Sequence, residues 1–333
     1  MFVRINPFVS GLVAVALTLP GTGAAKKPNS ETAEGGPAVL WRDPGDISSR
    51  DLFYGPGGPQ DQPRGPYTFV KEDLDGSNPK FVVRGRDGVK WKVKLGVEAR
   101  PETVATRLVW AVGYSANEDY FLQDLQVESM PAHLHRGWKL VAPDGSMHNV
   151  RLKREDEKKR GDWHWRQDPF TGTREWNGLR VLMAVLNNWD LKDENNSVYR
   201  DGGPERIYMV SDLGASFGTT GGRWPLSKAK GNLNSYSDSK FIRSYTSTTV
   251  DFYVPARPEF LFLVHPREYF SRLQMRWIGR NIPRADARWI GEMLSRLSNR
   301  QIQDAFRAAG YPAADMEGFS SVVERRIKLL SDL

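Results

Sequence analysis

Hydrophobic and polar positions change their period along the chain, which separates a strand-rich first part from a helix-rich last part. From Tyr67 to Leu95 apolar and polar residues alternate, and clusters rich in Gly and Asp interrupt the alternation. This pattern predicts three consecutive strands, with the lysines of the third strand on the face opposite its apolar residues. The predicted strands are Tyr67 to Val70, Lys80 to Arg84 and Val89 to Leu95.

A helix is predicted directly after the third strand. Pro101 is placed well for a first helical position, and an apolar stripe from Val104 to Val112 ends at Gly113. Three further segments have strand character and complete a mainly β region. They are Tyr120 to Val127, Trp138 to Val141 and Asn149 to Lys153.

Between Leu179 and Trp189 the apolar residues are spaced as in a buried helix. Two short strands, 197–200 and 207–211, follow around the turn residues Asp201-Gly202-Gly203-Pro204. Residues 249–254 and 260–264 have extended character. The last part is predicted to be helical: 285–297, then 300–309 with Ser298 as N-cap and Gly310 as stop, then a segment to Leu330.

Three oxygen-bearing side chains are expected to meet at one end of this hairpin. If the turn is centred between Gly203 and Pro204, antiparallel pairing sets Asn195 opposite Asp212. Asp190 follows the buried helix and lies close to Asn195 in sequence. Magnesium takes carboxylate and amide oxygens as ligands, so Asn195 and Asp212 are candidate metal ligands, and Asp190 stays available to accept a proton.

Net charge, cysteine content and the first 25 residues each narrow the possible partners and the location of the protein. The formal net charge is +7, which favours anionic partners, but Lys and Arg are scattered and give no nucleic-acid footprint. The chain has no Cys, which excludes disulfides and a lipid anchor on Cys. Residues 1–25 resemble a secretory signal peptide: Arg4, an apolar run too short for a bilayer span, then small residues. We therefore expect a periplasmic or secreted protein without a stable membrane span after cleavage.

The pattern predicts four regions. Residues 1–25 are the signal peptide, and 26–66 form an extended Gly- and Pro-rich arm docked in part by apolar residues. Residues 67–155 form a first lobe of strands plus one helix. Residues 156–333 form a second lobe that carries the loop at Asp190 and the C-terminal helices; the charged run Lys153 to Arg160 is expected to be a solvated connection between them.

The stretch from Asp190 to Gly214 resembles the active site of a known superfamily. Asp190-Leu191-Lys192-Asp193-Glu194-Asn195 is similar to the catalytic loop of protein kinases, and Asp212-Leu213-Gly214 is similar to their Asp-Phe-Gly metal motif. Asn188-Trp189 stand where most protein kinases have His-Arg. The sequence is therefore most similar to the atypical protein-kinase-like branch, which includes HipA-like, phosphoinositide and secretory-pathway kinases.

The resemblance implies an α+β, bilobal, kinase-like fold with a mainly β N-lobe and a mainly helical C-lobe. It implies a phosphotransferase dependent on Mg²⁺ and ATP, acting on an unknown protein, lipid or small-molecule acceptor.

It also implies roles for individual residues. Lys94 would hold the nucleotide phosphates, with Lys92 as the alternate, and Glu102 would orient that lysine, with Glu98 as a competitor. Asp190 would take the proton of the acceptor hydroxyl, and Lys192 would neutralise charge on the transferred group. Asn195 and Asp212 would bind magnesium, and Gly76 and Ser77 would offer backbone N–H groups to phosphate.

Two further interpretations stay open. An exported protein of this kind could be catalytically inactive and keep the kinase scaffold for binding or structure. The 11 Trp residues and many carboxylates also allow a glycan-acting protein of the cell envelope, although no particular carboxylate pair is marked.

Overall fold

Residues 36–66, the described part of the arm before the first barrel strand, have little regular structure and are held by their side chains. The computed structural model describes residues 36–76, 78–155, 158–200, 202–218, 229–254, 270 and 273–333. Within residues 36–66 the regular elements are β1 (Ala38–Val39) and a single 3-10 turn at Ile47–Ser49. Leu40, Ile47 and Leu52 are buried in the larger of the two main cores.

Five strands form a closed barrel that houses the smaller core. They are β2 (Tyr67–Asp73), β3 (Lys80–Arg84), β4 (Lys90–Lys94), β5 (Asp119–Glu128) and β6 (Ser146–Arg154). The order is β2-β3-β4-β6-β5, and a short parallel contact between β5 and β2 closes it. The three strands predicted between Tyr67 and Leu95 are confirmed, because alternating side chains satisfy a barrel with one apolar face.

Helix α1 (Ala99–Ala111) connects β4 to β5 and begins two residues before Pro101. Its apolar residues Val104 and Leu108 belong to the larger core, together with residues of the arm and of the C-terminal helices. The helix is therefore buried between the barrel and the helical part of the molecule, which explains why nearly all of its residues are inaccessible to solvent.

A second sheet positions the loop at Asp190. Its order is β1-β9-β8-β7, with β7 (Lys158–Gly161), β8 (Asn196–Arg200) and β9 (Arg206–Val210). Helix α2 (Arg174–Val185) begins at Thr173, whose side chain accepts a hydrogen bond from Trp176 N, and leads into the loop. The buried helix and the hairpin after it were both predicted from the hydrophobic period.

The remaining elements complete the helical part of the molecule, and some of them pack directly against α2. They are α3 (Leu233–Ser237), a three-stranded sheet of β10 (Ile242–Tyr245), β11 (Thr249–Phe252) and β12 (Ile282–Pro283), then α4 (Arg284–Ser295), α5 (Asn299–Ala308) and α6 (Ala313–Ser331). Ser298 caps α5, as the sequence predicted, and the structure adds a reciprocal capping box with Gln301. The described residues thus form a mixed α/β chain with six α-helices and several sheets.

Two predicted segments differ in the structure. Residues Trp138–Leu140 form a 3-10 turn instead of a strand, because Gly137 has a left-handed backbone and its carbonyl accepts a bond from Leu140 N at 2.8 Å. Part of the charged run 153–160 is in strands, since β6 extends to Arg154 and Lys158–Gly161 pairs with β8. The predicted signal peptide, Ser77 and the extended segment 260–264 lie outside the described residues.

In the described part of the chain, no α-helix combines the length and the apolar character that a bilayer span requires.

Candidate functional site

The ammonium group of Lys94 lies at the centre of a buried cluster of carboxylates. Lys94 is the last residue of β4 and is 4% exposed. Its Nζ lies 2.7 Å from Glu102 Oε2, 3.2 Å from Glu98 Oε2 and 3.2 Å from Asp212 Oδ1. Carboxylate oxygens of these three residues all lie within 4.8 Å of one another, so Lys94 supplies the positive charge that such crowding requires.

Both candidate glutamates contact this lysine. Glu98 is the N-cap of α1, and Glu102 lies in the first turn of that helix, so the two side chains share one end of it. Glu102 also accepts a hydrogen bond from Arg151 of β6 at 2.6 Å. Burial by itself would lower the pKa of Arg151, but the charges of Glu102 and Asp119 raise it overall. Lys92, the alternate, pairs instead with Asp73 at 2.9 Å.

Asp212 lies in the segment after β9, and its contact with Lys94 links that segment to the barrel. Its Oδ1 accepts a hydrogen bond from Gly214 N at 3.1 Å. Burial favours the neutral acid, but the charge of Lys94 and the N–H of Gly214 outweigh it and lower the pKa of Asp212 to about 2. Asp212 is therefore an anion at neutral pH, and its side chain keeps 40% of its surface exposed.

The hairpin register differs by one residue from the prediction. Asn196 pairs with Val210, so Asn195 lies opposite Ser211 and not opposite Asp212. The reason is that the loop between β8 and β9 has five residues, 201–205, which centres the turn on residue 203. The carbonyl of Asn195 nevertheless accepts hydrogen bonds from both Ser211 N, at 2.8 Å, and Asp212 N, at 3.2 Å.

The loop at Asp190 is fixed on both sides. Trp189 and Leu191 are each 2% exposed, and they anchor the chain around Asp190, whose own side chain is partly accessible. Asp190 N donates to Asn188 Oδ1 at 3.0 Å, and Asn195 Nδ2 donates to the Asp190 carbonyl at 2.6 Å. Asn195 thus ties the loop to the strand that leads to Asp212.

Two side chains next to this loop have partners of their own. Lys192 Nζ lies 3.6 Å from Asp190 Oδ1 and is partly exposed. The Nδ1 atom of His164 lies 3.0 Å from Asp193 Oδ2. Asp193 also accepts a hydrogen bond from Trp165 N at 3.0 Å, so this carboxylate holds the loop against the segment before α2.

The turn between β2 and β3 reaches the same region through Asn78. Asn78 Nδ2 donates to Glu98 Oε2. Gly76 has a left-handed backbone, with φ of 63°, and its carbonyl accepts a hydrogen bond from Arg136. The second predicted phosphate donor in this turn, Ser77, is outside the described residues.

Three residues of the site were not singled out from the sequence. Lys80 is the cross-strand partner of Lys94, a relation that the strand pattern could have indicated. Burial lowers the pKa of Lys80. Lys230 forms an ion pair with Glu98, and Arg151 binds Glu102. No local pattern marks Lys230 or Arg151, because their partners are 132 and 49 residues away in the chain.

No protein-family model and no curated protein matches the chain. Among solved structures, the crystal structure of a Helicobacter pylori proinflammatory kinase, CtkA, is similar to it. The sequence identity is 12%, the match covers 80% of this chain and 96% of that chain, and the TM-score is 0.44. Similarity at this level assigns no activity to the chain.

Proposed function

We propose that this protein is a nucleotide- and magnesium-dependent phosphotransferase with a bilobal, kinase-like fold. The observation that carries the proposal is the position of Lys94 between Glu102 and Asp212. A strand, a helix and the segment after a hairpin each contribute one charge. Protein kinases use this combination of a strand lysine, a helix glutamate and a metal-binding aspartate. The barrel with α1 would form the first lobe, and α2 with the C-terminal helices the second.

The roles of the side chains follow from their contacts. Lys94 binds the phosphates of the nucleotide, and Glu102 holds it in place while Arg151 balances the charge of Glu102. Asp190 orients the acceptor hydroxyl and takes its proton. Lys192, which lies next to Asp190, neutralises charge on the transferred phosphoryl group.

Asn195 and Asp212 fit a magnesium ion. Asp212 is ionised and partly exposed. The Nδ2 atom of Asn195 is bound to the Asp190 carbonyl, which leaves the amide oxygen Oδ1 as the atom available for a cation. When bound, magnesium would neutralise phosphate charge. Gly76, and Ser77 by its place in the sequence, would contribute backbone N–H groups to the phosphates.

The proposal also covers the compartment in which the protein acts and the acceptor of the phosphoryl group. The pattern of residues 1–25 supports export, to the periplasm or outside the cell, and the acceptor is a hydroxyl of a protein, a lipid or a small molecule. ATP is the donor that we propose to test first.

Thermal unfolding with and without ATP and Mg²⁺ tests nucleotide binding. Ligand at about 100 times its dissociation constant stabilises the native state by about 2.7 kcal/mol, which raises the melting temperature measurably. We expect this rise in the wild-type protein and a much smaller one in Asp212→Asn, which keeps the shape of the side chain and removes its charge.

Transfer of labelled γ-phosphate, compared with Asp190→Asn, then tests catalysis. Transfer that is lost in Asp190→Asn while nucleotide binding persists supports a phosphotransferase. Binding without transfer to any acceptor would instead assign the inactive, scaffold-type function. A protein whose stability does not respond to millimolar nucleotide with Mg²⁺ contradicts the proposal altogether.

A further inference from the structure

The carboxylate of Glu98 is surrounded by donors from three separate segments. Lys94 Nζ of β4 lies 3.2 Å from its Oε2, and Asn78 Nδ2 of the β2–β3 turn donates to the same oxygen. Lys230, which follows β9 by twenty residues, donates to the other oxygen, Oε1. The side chain of Glu98 is 5% exposed, so these donors enclose an anion away from water.

Lys230 lies next to the loop at Asp190, and most of its side chain is shielded from solvent. Its side chain is 9% exposed, and its Nζ lies 5.2 Å from the centre of the Trp189 ring, directly before Asp190. The main chain around it is fixed, because Gly231 N donates to Ser216 O at 3.0 Å. The segment of Lys230 therefore runs beside the one that carries Asp212.

Lys230 balances charge in the carboxylate cluster, but stability by itself gives only a weak reason for burying this ion pair. A buried ion pair stabilises a fold little, since the cost of removing both charges from water offsets their attraction. Here two lysines converge on one carboxylate that is also bound to an amide, which is the donor set that proteins use for phosphate oxygens. Two ammonium groups that share one carboxylate can equally share one phosphoryl group.

We propose that Lys230 is a second phosphate-binding residue of this site and that it acts on the phosphates beyond the α-phosphate of a nucleoside triphosphate. Without nucleotide, the carboxylate of Glu98 takes the place of that anion and accepts from both Lys94 and Lys230. When the nucleotide binds, the ammonium group of Lys230 turns from Glu98 Oε1 to a phosphate oxygen. The inference rests on the proposed function, because it requires a nucleotide at Lys94.

Calorimetric titration of ATP, ADP and AMP in the presence of Mg²⁺ tests this role. Lys230→Met should weaken ATP binding about tenfold or more, ADP binding less, and AMP binding not at all, because only the outer phosphates lose a charged donor. Lys230→Arg keeps the charge and should recover most of the ATP affinity. Lys240→Met, at an exposed lysine ten residues further on, is the matched control and should bind all three nucleotides as the wild type does.

A second pair of variants tests the proposal in case Lys230→Met does not fold. Glu98→Gln with Lys230→Met removes the buried pair together and leaves no unpaired charge, so it is compared with Glu98→Gln alone. We expect Glu98→Gln to bind ATP at least as tightly as the wild type, and the double variant to bind it about tenfold less tightly than Glu98→Gln.

The outcomes separate the two proposals. If the wild type binds no nucleotide, the proposed function fails and this inference fails with it. If the wild type binds ATP and Lys230→Met binds it equally well, or loses ATP, ADP and AMP to the same extent, Lys230 has a structural role only and this inference alone is overturned.

Discussion

Lys94 and Asp212 are 118 residues apart in sequence, yet the Nζ of Lys94 lies 3.2 Å from Oδ1 and 3.3 Å from Oδ2 of Asp212. This contact joins the end of the third barrel strand to the segment after β9. Since Glu98 and Glu102 contact the same ammonium group, Lys94 is the point at which the barrel, helix α1 and the hairpin are connected.

Replacing Lys94 with Met should destabilise the protein even without nucleotide. The change leaves three carboxylates close together without the cation between them, and breaking a buried ion network of this kind costs about 3 to 5 kcal/mol. Urea unfolding measures the loss. Lys90→Met, on the exposed end of the same strand, is the control and should change the free energy of unfolding by no more than about 0.5 kcal/mol. Equal effects of the two variants would show that the cluster does not support the fold.

Gly214 is required by the close approach of Glu98. A Cβ atom at position 214 would lie 2.8 Å from Glu98 Oε2 and 2.9 Å from Glu98 Cβ. Gly214→Ala must therefore move Glu98 or the segment of Asp212, at a cost of about 1 to 3 kcal/mol, and nucleotide affinity should fall as well. Gly161→Ala, where nothing lies within 4 Å, is the matched control. Calorimetric titration and thermal unfolding of both variants measure the difference, and an unchanged Gly214→Ala protein would contradict the packing described here.

Gln301 holds the arm against helix α5. Its Nε2 donates to the carbonyl oxygens of Ile47 at 3.0 Å, Ser48 at 3.2 Å and Arg50 at 2.9 Å. Gln301→Ala should release the arm and increase its rate of cleavage in limited proteolysis.

Ser298→Ala separates this effect from helix capping. It removes the serine half of the capping box, at a cost of about 1 kcal/mol, but leaves the three bonds from Gln301 in place. We therefore expect slower cleavage of the arm in Ser298→Ala than in Gln301→Ala. The opposite order would mean that the cap, and not the amide, holds the arm.

Asp119 should give the stability of the protein a pH dependence opposite to that of most carboxylates. Burial raises the pKa of Asp119 from its ordinary value of 3.8 to about 6, although Arg107 and Arg151 act to lower it. The folded state then binds the proton more tightly than the unfolded state, so this group favours folding at low pH. The contribution of Asp119 to the free energy of unfolding should decline as the pH rises from about 4 to about 6 and stay constant above that.

Urea unfolding of the wild type and of Asp119→Asn across this pH range isolates the effect. The difference in free energy of unfolding, wild type minus variant, should fall with rising pH. Other carboxylates cancel in that difference. A rising difference would show that the ion pair with Arg107, whose Nη1 lies 2.9 Å from Asp119 Oδ1, keeps the pKa below 3.8 in the folded protein.

Sequence patterns predicted the strands of the barrel, helix α2 and the cap at Ser298, because each depends on side chains within a few residues of one another. They failed at Trp138, where alternating apolar residues lie on the surface: Trp138 and Leu140 are 56% and 47% exposed. Burial of those side chains depends on what packs over them, which the local period does not contain.

The sequence by itself determined where the chain alternates, where it turns helical, and the order in which Lys94, Glu102, Asp190, Asn195 and Asp212 follow one another. Only the tertiary structure decided that Glu98 and Glu102 both bind Lys94, that Asn195 lies opposite Ser211, and that Lys230 reaches Glu98. The physical reason is the separation in sequence between the interacting residues. A hydrogen-bonded turn or a helix cap depends on residues that are close together in the chain. An ion pair between residues 118 or 132 positions apart forms only once the elements that carry the two residues have packed.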